Sequence, residues 1–520
     1  QGDANARPFR DPLQFEAYNL GHLMTAACVR QRLTGRNDLL DVARKAADFL
    51  DATSRNPSPE FARCAICPSH YMGLVELYRT TNEPRYLDLA KRLFALRDTI
   101  RDGTDDNQDR VPFRGQKKAA GHAVRANYLY AGAADLYAEG GDRTLLAPLT
   151  AIWDDLVATK LAITGGCGPL FDGASPDGSK EQRQIGRVHQ AYGRDYQLPM
   201  STAHNETCAA VGLALWAWRM LQITGEAKYA DVLELVLHNA VLAGVSLDGT
   251  SFFYTNTLRQ LDSMPAELRW SRTRQPYISS FCCPPNVARI VAESSGFAYG
   301  LAEKTVWVHL YGASELAADV PGVGRVKLTQ QTDYPWDGRV KLTVDVDRPA
   351  TFAVQLRVPG WARGASVAVN GAAEPAMPGV YRTLEREWRT GDTVSLTLPM
   401  AARLVEAHPL VEEARNQVAV LRGPLVYCVE STDLPAGVGV QDVALPAEID
   451  LKPRFDTRLL GGVSVLEGRA AARPAAAWER KLYRDATPGA SKPIEIRLVP
   501  YFAWANRGRS EMTVWMPVAR

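Results

Sequence analysis

One pattern recurs four times in the first 300 residues: an apolar run at helical spacing, a short turn, and a second such run. EAYNLGHLMTAACVRQRL passes through Thr34-Gly35 into NDLLDVARKAADFLD, and SHYMGLVELYRT through Thr81-Asn82 into EPRYLDLAKRLFALRD. GHAVRANYLYAGAADLY passes through Gly140-Gly141 into DRTLLAPLTAIWDDLV, and NETCAAVGLALWAWRMLQI through Thr224-Gly225 into AKYADVLELVLHNAVLAG. A single helical hairpin cannot bury its apolar face, so copies must stack as an open solenoid or close into a ring. His22, His70 and His122 each stand at the start of the first helix of a repeat. A lone histidine there is a helix-start residue bonded to a nearby carbonyl. Three in register favour a ring, because equivalent positions then converge on its axis. The expected fold is therefore an (α/α) barrel of hairpins over 1–302.

The stretch 162–201 interrupts the repeat, rich in Gly, Asp and Gln and without a clear period. A long irregular insertion in a regular fold reads as an active-site loop. A further helix, NVARIVAESSGFAYG, follows Cys282 and Cys283. After Ala302 the chain turns to short alternating runs parted by Gly, Pro and Asp: KTVWVHLYG, GRVKLTVDV, TFAVQLRVP, ASVAVNG, VYRTLEREW and DTVSLTLPM. They predict a β-sandwich over 303–415. QVAVLRGPLVYCVE, IEIRLVPYFAWANRG and EMTVWMPVA predict a second β-module over 416–520, with an Ala/Pro-rich middle at 434–492. The fold class is multidomain α+β.

The formal net charge is +2 on 520 residues. That gives no electrostatic footprint for nucleic acid or for an acidic membrane surface, and no apolar run approaches the roughly 20 residues of a membrane span. QGDANARPFRDP is polar and lacks a signal peptide's apolar stretch, which leaves cytoplasm and periplasm both open. Exposed sheet edges can pair two copies into a homodimer.

The 8 cysteines are too sparse for a disulfide scaffold. Their clustering points to metal or thiolate chemistry, which needs reduced sulfur. Glu206 and Cys208 in AHNETCAAVG, with Cys282 and Cys283 in SFCCPPN, supply three sulfurs and one carboxylate, a set that suits tetrahedral zinc. Adjacent cysteines can serve one metal where the backbone bends, and CCPPN bends through its prolines. The spacing matches no common zinc finger, so buried cysteines beside a helix-capping glutamate remain the alternative. Cys64 and Cys67 in RCAICPSH are the competing candidates, as half a structural metal site, a redox pair, or a packed helix start.

NLGHLMTAA, GHAVRANYLY, YQLPMSTAHNETCAA, SLDGTSFFYTNTL and SFCCPPNVARIVA occur in that order. With the closing YFAWANRG and EMTVWMP they resemble the β-L-arabinofuranosidase family, glycoside hydrolase family 127, over nearly the whole chain. The resemblance implies a helical catalytic barrel followed by two β-domains. It implies zinc held by Glu206, Cys208, Cys282 and Cys283. It makes Cys282 the nucleophile of a retaining reaction through a glycosyl-thioether, with His22, His70, His122 and Tyr254 contacting the sugar. The expected partner is an oligosaccharide or glycoconjugate ending in β-L-arabinofuranose or a related plant cell-wall sugar.

Two features depart from that pattern. The family's acid/base glutamate lies sixteen residues before the metal-binding glutamate, and here that position is Gln190, in VHQAYGRDYQLPMSTAHNETC. An amide cannot donate or accept the proton. Three explanations stand: an engineered variant, a natural subfamily whose acid is Asp195, Glu181 or His189, or a weakly active or glycan-binding relative. A sugar epimerase on the same barrel type is the alternative enzyme class. The second departure is a count of about nine long helices, short of the twelve of a ring of six hairpins.

Overall fold

All four hairpin turns form through a residue in the left-handed region: Gly35, Asn82, Gly141 and Gly225, with φ of 69°, 56°, 68° and 68°. Glycine and asparagine tolerate that conformation, and the amide it presents closes the preceding helix. The N–H groups of Gly35, Asn82 and Gly141 donate to the carbonyls of Gln31, Tyr78 and Tyr137. The structure is a computed structural model and describes residues 8–176, 181–264, 268–473, 482, 483, 485 and 491–519. Part of the Ala/Pro-rich stretch and most of the polar N-terminal segment lie outside the described residues. The protein is multidomain α+β, with a helical N-terminal region followed by β-rich domains. No helix among the described residues is long and apolar enough to cross a membrane.

Two compact units divide the chain. The first comprises 1–162, 167–198 and 204–223. In it the first helices of successive hairpins, Glu16–Thr34, Ser69–Thr81, Ala123–Gly140 and Thr207–Thr224, lie side by side. Small residues bring the backbones together. A Cβ added at Gly21 would fall 2.3 Å from the backbone of Ser69 and His70, and one at Gly132 would fall 2.8 Å from Tyr71 Cβ. Ala123–Gly140 is buried along most of its length, which explains its nearly unbroken apolar and small-residue sequence. The second helices, Asp38–Arg55 and Pro84–Leu96, bury one face. Leu40, Ala43, Ala47 and Leu50 form that stripe on the first of them.

The insertion is more regular than its sequence suggests. Leu170–Ala174 and Arg187–Tyr192 pair antiparallel, and Gly121–His122 joins the far edge of Arg187–Tyr192. The period is hard to read because the second strand is broken at Gln190, whose φ is 50°.

The second unit comprises 163–166, 199–203 and 224–520. A four-stranded sheet, in the order 380–388, 350–358, 305–308 and 299–302, lies over a six-stranded sheet that runs from 372–375 to 314–320. Trp388, Phe352, Leu356, Leu342 and Leu396 fill the space between them. Two strands of that sheet, Ser314–Val320 and Gly324–Gln331, are absent from the runs picked out by alternation. In the last sheet Gln417–Arg422 pairs with both Trp515–Ala519 and Leu425–Glu430, so six strands close on themselves. Helix Ala227–Leu235 is tied to the sandwich by a buried ion pair. Arg357 donates to Asp231 at 2.6 Å and to Glu234 at 2.5 Å, and the Tyr334 hydroxyl also donates to Glu234.

Candidate active site

Glu206 and Cys208 sit at the entry of helix Thr207–Thr224. The Glu206 carbonyl accepts the N–H groups of Ala209 and Ala210, at 2.9 and 3.2 Å, so its side chain leaves the helix at its first turn. The segment before it is pinned: His204 N–H donates to the Pro169 carbonyl at 2.8 Å and Asn205 N–H to the Gly168 carbonyl at 3.2 Å. Gly168, at φ 68°, threads between Ala123 and the Gln190 carbonyl; a Cβ there would fall 2.4 Å from Ala123 Cβ. One short backbone path thus joins the Glu206 entry to the His122–Ala123 corner and to the Gln190 strand.

Cys282 and Cys283 open helix Cys283–Glu293, with Pro284 and Pro285 in its first turn, where a missing N–H costs nothing. Their sulfurs are 3.8 Å apart. A regular tetrahedron with metal–sulfur bonds of about 2.3 Å has edges of about 3.8 Å. One ligand atom from each of Glu206, Cys208, Cys282 and Cys283 lies within 4.8 Å of the other three. Three soft sulfurs and one carboxylate at that spacing fit zinc. Of the four, only Cys282 is reached by solvent; the others are buried. Its sulfur lies 3.8 Å from the Tyr254 hydroxyl, and the Tyr254 ring is stacked on Trp270 at 4.0 Å.

Cys64 and Cys67 do not join this group. Both are buried, and burial raises the Cys64 thiol to about 11, the wrong direction for a metal ligand. They are packed residues, but at a helix end rather than a helix start for Cys64, which closes the short helix Pro59–Arg63; Cys67 lies just before Ser69–Thr81.

The three histidines lie on the first helices of the hairpins or just before them, at different positions along them. His22 is well inside Glu16–Thr34, His70 is the second residue of Ser69–Thr81, and His122 immediately precedes Ala123–Gly140. The expectation that all three begin a helix therefore fails for His22: its helix starts earlier. Gly21 against Ser69 and His70 still brings His22 and His70 to adjoining turns. His22 meets the ring edges of Tyr18 and Tyr128. Burial, with Arg97 adding to it, pushes His70 down to about 3. Burial, then Arg125 and two neighbouring histidines, pushes His122 well below its ordinary value. Both rings are therefore neutral at working pH. The Nδ1 atoms of His70 and His122 are buried and have no hydrogen-bond partner among the described residues. The Gln190 amide stands beside His122 and acts weakly against the downward shift.

Sequence reasoning missed Asp106. It is one of several acidic residues in a polar loop, and nothing in DGTDDNQDR singles it out. The fold lays that loop along the Arg187–Tyr192 strand, where Asp106 accepts from His189 N–H at 2.8 Å, from His189 Nδ1 at 2.9 Å and from Arg125 at 2.9 Å. Trp270 was missed as well. It falls in a stretch without periodicity, and only the ring stack marks it.

Three family models match in succession: the β-L-arabinofuranosidase GH127 catalytic domain over residues 2–296, the GH127 middle domain over 305–400, and the family 127 C-terminal domain over 402–517. A curated relative, the non-reducing end β-L-arabinofuranosidase of Bifidobacterium longum subsp. longum, is 33% identical, covering 96% of this chain and 78% of its own. A solved structure described as a glycoside hydrolase is 50% identical with a TM-score of 0.93, covering 98% of this chain and 84% of that chain. A GH127 β-L-arabinofuranosidase from Geobacillus stearothermophilus T6 is 33% identical with a TM-score of 0.88, covering 100% and 82%. With matched models across the chain and a relative aligned over nearly all of it, the chain belongs to glycoside hydrolase family 127, the β-L-arabinofuranosidase family, and is a glycosidase.

Proposed function

We propose that this enzyme removes terminal β-L-arabinofuranose from the non-reducing end of a glycan, with retention of configuration and with Cys282 as nucleophile. The observation that carries the reading is the contrast among the clustered ligands: a single sulfur, that of Cys282, is open to solvent and stands beside a tyrosine hydroxyl. The names of the Bifidobacterium and Geobacillus relatives support the sugar.

Glu206, Cys208, Cys282 and Cys283 would hold zinc, which when bound keeps sulfur ionised at neutral pH and stabilises it again as a leaving group. Cys282 attacks C1 of the furanose from one face, and a glycosyl-thioether forms as the bond to the aglycone oxygen breaks. Water then attacks C1 from the face the aglycone left, which restores the original configuration. The chain's other residues orient the ring. The buried Nδ1 atoms of His70 and His122 have bonding capacity that the described protein does not use, and sugar hydroxyls are partners of the right size. His22 and Tyr254 belong to the same binding reading, Tyr254 close to the sulfur. Gln190, beside His122, serves as a hydrogen-bonding contact.

The test is Cys282→Ala assayed against p-nitrophenyl furanosides and pyranosides. Hydrolysis of the β-L-arabinofuranoside is expected to disappear with the fold intact. Activity in the variant within a few-fold of the parent, or a parent that prefers pyranosides, would reject the proposal. The epimerase alternative predicts a reaction indifferent to Cys282.

A further inference from the structure

With an amide at Gln190, the proposed reaction lacks a group to protonate the departing oxygen and to take a proton from water. We propose that His189 is that group, held in position by Asp106; the inference rests on the reading of the reaction given above.

The three candidate acids on the insertion, Asp195, Glu181 and His189, have different surroundings. Asp195 is held between Lys118 at 2.6 Å and Lys160 at 2.9 Å. Those bonds fix it as a carboxylate and hold its pKa below the ordinary value, opposite to what a general acid needs. Glu181 is exposed on the surface of the insertion. His189 is different in each respect. It is half-buried, with solvent access, and directly precedes Gln190 on the strand that pairs with Gly121–His122. Its ring meets the His122 ring edge-on, with centroids 5.1 Å apart. Its Nδ1 is committed to Asp106 Oδ1 at 2.9 Å, so Nε2 is the nitrogen free to carry a proton. Among the described residues Nε2 has no hydrogen-bond partner.

Asp106 is built to orient that ring. Burial alone would raise its carboxyl, but the His189 bonds and the Arg125 charge outweigh burial and keep it ionised. A carboxylate that fixes one imidazole nitrogen and leaves the other facing a reactant is the arrangement that makes histidine an acid and a base in turn. Among the described residues, the charged and titratable groups around His189 are Asp106 on its loop, Arg125 on helix Ala123–Gly140 through its bond to Asp106, and His122 on the adjoining strand. Asp172 lies opposite in the register and is occupied by Arg187 at 2.8 Å.

In the first step the His189 imidazolium gives its Nε2 proton to the glycosidic oxygen as the C1–O bond breaks and the C1–sulfur bond forms. The aglycone leaves as an alcohol and His189 is neutral. In the second step neutral His189 takes a proton from water as the water oxygen bonds to C1 and the C1–sulfur bond breaks. Thiolate and imidazolium are both restored.

The experiment compares the parent with His189→Ala and with His189→Asn, which keeps a donor for Asp106 but cannot titrate. Each is assayed on methyl and on p-nitrophenyl β-L-arabinofuranoside, with and without azide. The expected loss on the methyl glycoside is about 10²–10⁴-fold in both variants. On the aryl glycoside, whose leaving group needs little protonation, azide is expected to restore turnover and to yield the β-configured glycosyl azide. Asp106→Asn is expected to move the limb of the pH–rate profile that reports the acid. Equal losses on both donors with no azide product would mean that His189 only supports the loop, and would overturn the proposal, as would a variant that matches the parent. A parent that releases sugar from neither donor would bring down the reaction reading itself, and this inference with it.

Discussion

Burial holds His70 neutral down to about pH 3, whereas the unfolded chain takes up that proton near 6.5. The folded pKa is the lower one, so the contribution to stability is complete above about 6.5. It is lost as pH falls toward 3, at up to ~1.4 kcal/mol per pH unit. His70→Gln is expected to flatten the fall in stability between about pH 6 and pH 4 by roughly one proton's slope, read from urea denaturation across that range. An unchanged slope would show that His70 is charged in the folded protein. Gln190 carries a second expectation at this scale. With His189 supplying the proton, Gln190→Glu is expected to alter turnover by less than about tenfold, against the roughly 10²–10⁴ that restoring a missing acid would give. The histidines could be picked out from their register in the hairpins and the Glu-Thr-Cys and Cys-Cys residues from their chemistry, whereas Gln190 was marked only by the family resemblance. Asp106 could not, since its role exists only once a loop far away in sequence is laid along the His189 strand.

At the scale of elements, helix contacts in the first unit depend on side chains that are missing. Gly21→Ala puts a methyl group into the backbone of the neighbouring helix start, and overpacking of this kind costs about 1–3 kcal/mol. The expected result is a loss of that size in chemical denaturation, together with weaker sugar binding, because His22 and His70 flank the contact. A full-strength variant would mean that the two helices are free to separate. In the second unit, Glu234→Gln leaves Arg357 buried with Asp231 as its one charged partner among the described residues. The expected cost is about 3–5 kcal/mol, the usual penalty for breaking a buried pair, measured by the same denaturation assay. Hairpin turns and most strands were legible because their signals are local: a left-handed residue after a helix, or alternation along a strand. Strands Ser314–Val320 and Gly324–Gln331 were not, although they alternate, because their inward positions include Ser314, Ala318 and Gln330 beside the apolar residues, which weakens the apolar half of the period. The broken strand at Gln190 was hidden by its own distortion.

For the whole molecule, four ligands from two distant parts of the chain gather at one point. About one zinc per chain is expected by elemental analysis, and much less in Cys208→Ala. A ligand that binds only the folded state adds stability by mass action, so strong chelation is expected to lower the midpoint of thermal unfolding. Metal-free protein with full activity would reject the site. The sequence by itself determined the class of architecture, the positions of the turns, and which residues carry sulfur, carboxylate and imidazole chemistry, because periodicity and residue type are local properties. The tertiary structure alone decided which cysteine is open to solvent, which imidazoles are kept neutral by burial, and which histidine has a carboxylate behind it. Exposure, desolvation and long-range hydrogen bonds are properties of neighbours in space, and those neighbours are set only when the chain has packed.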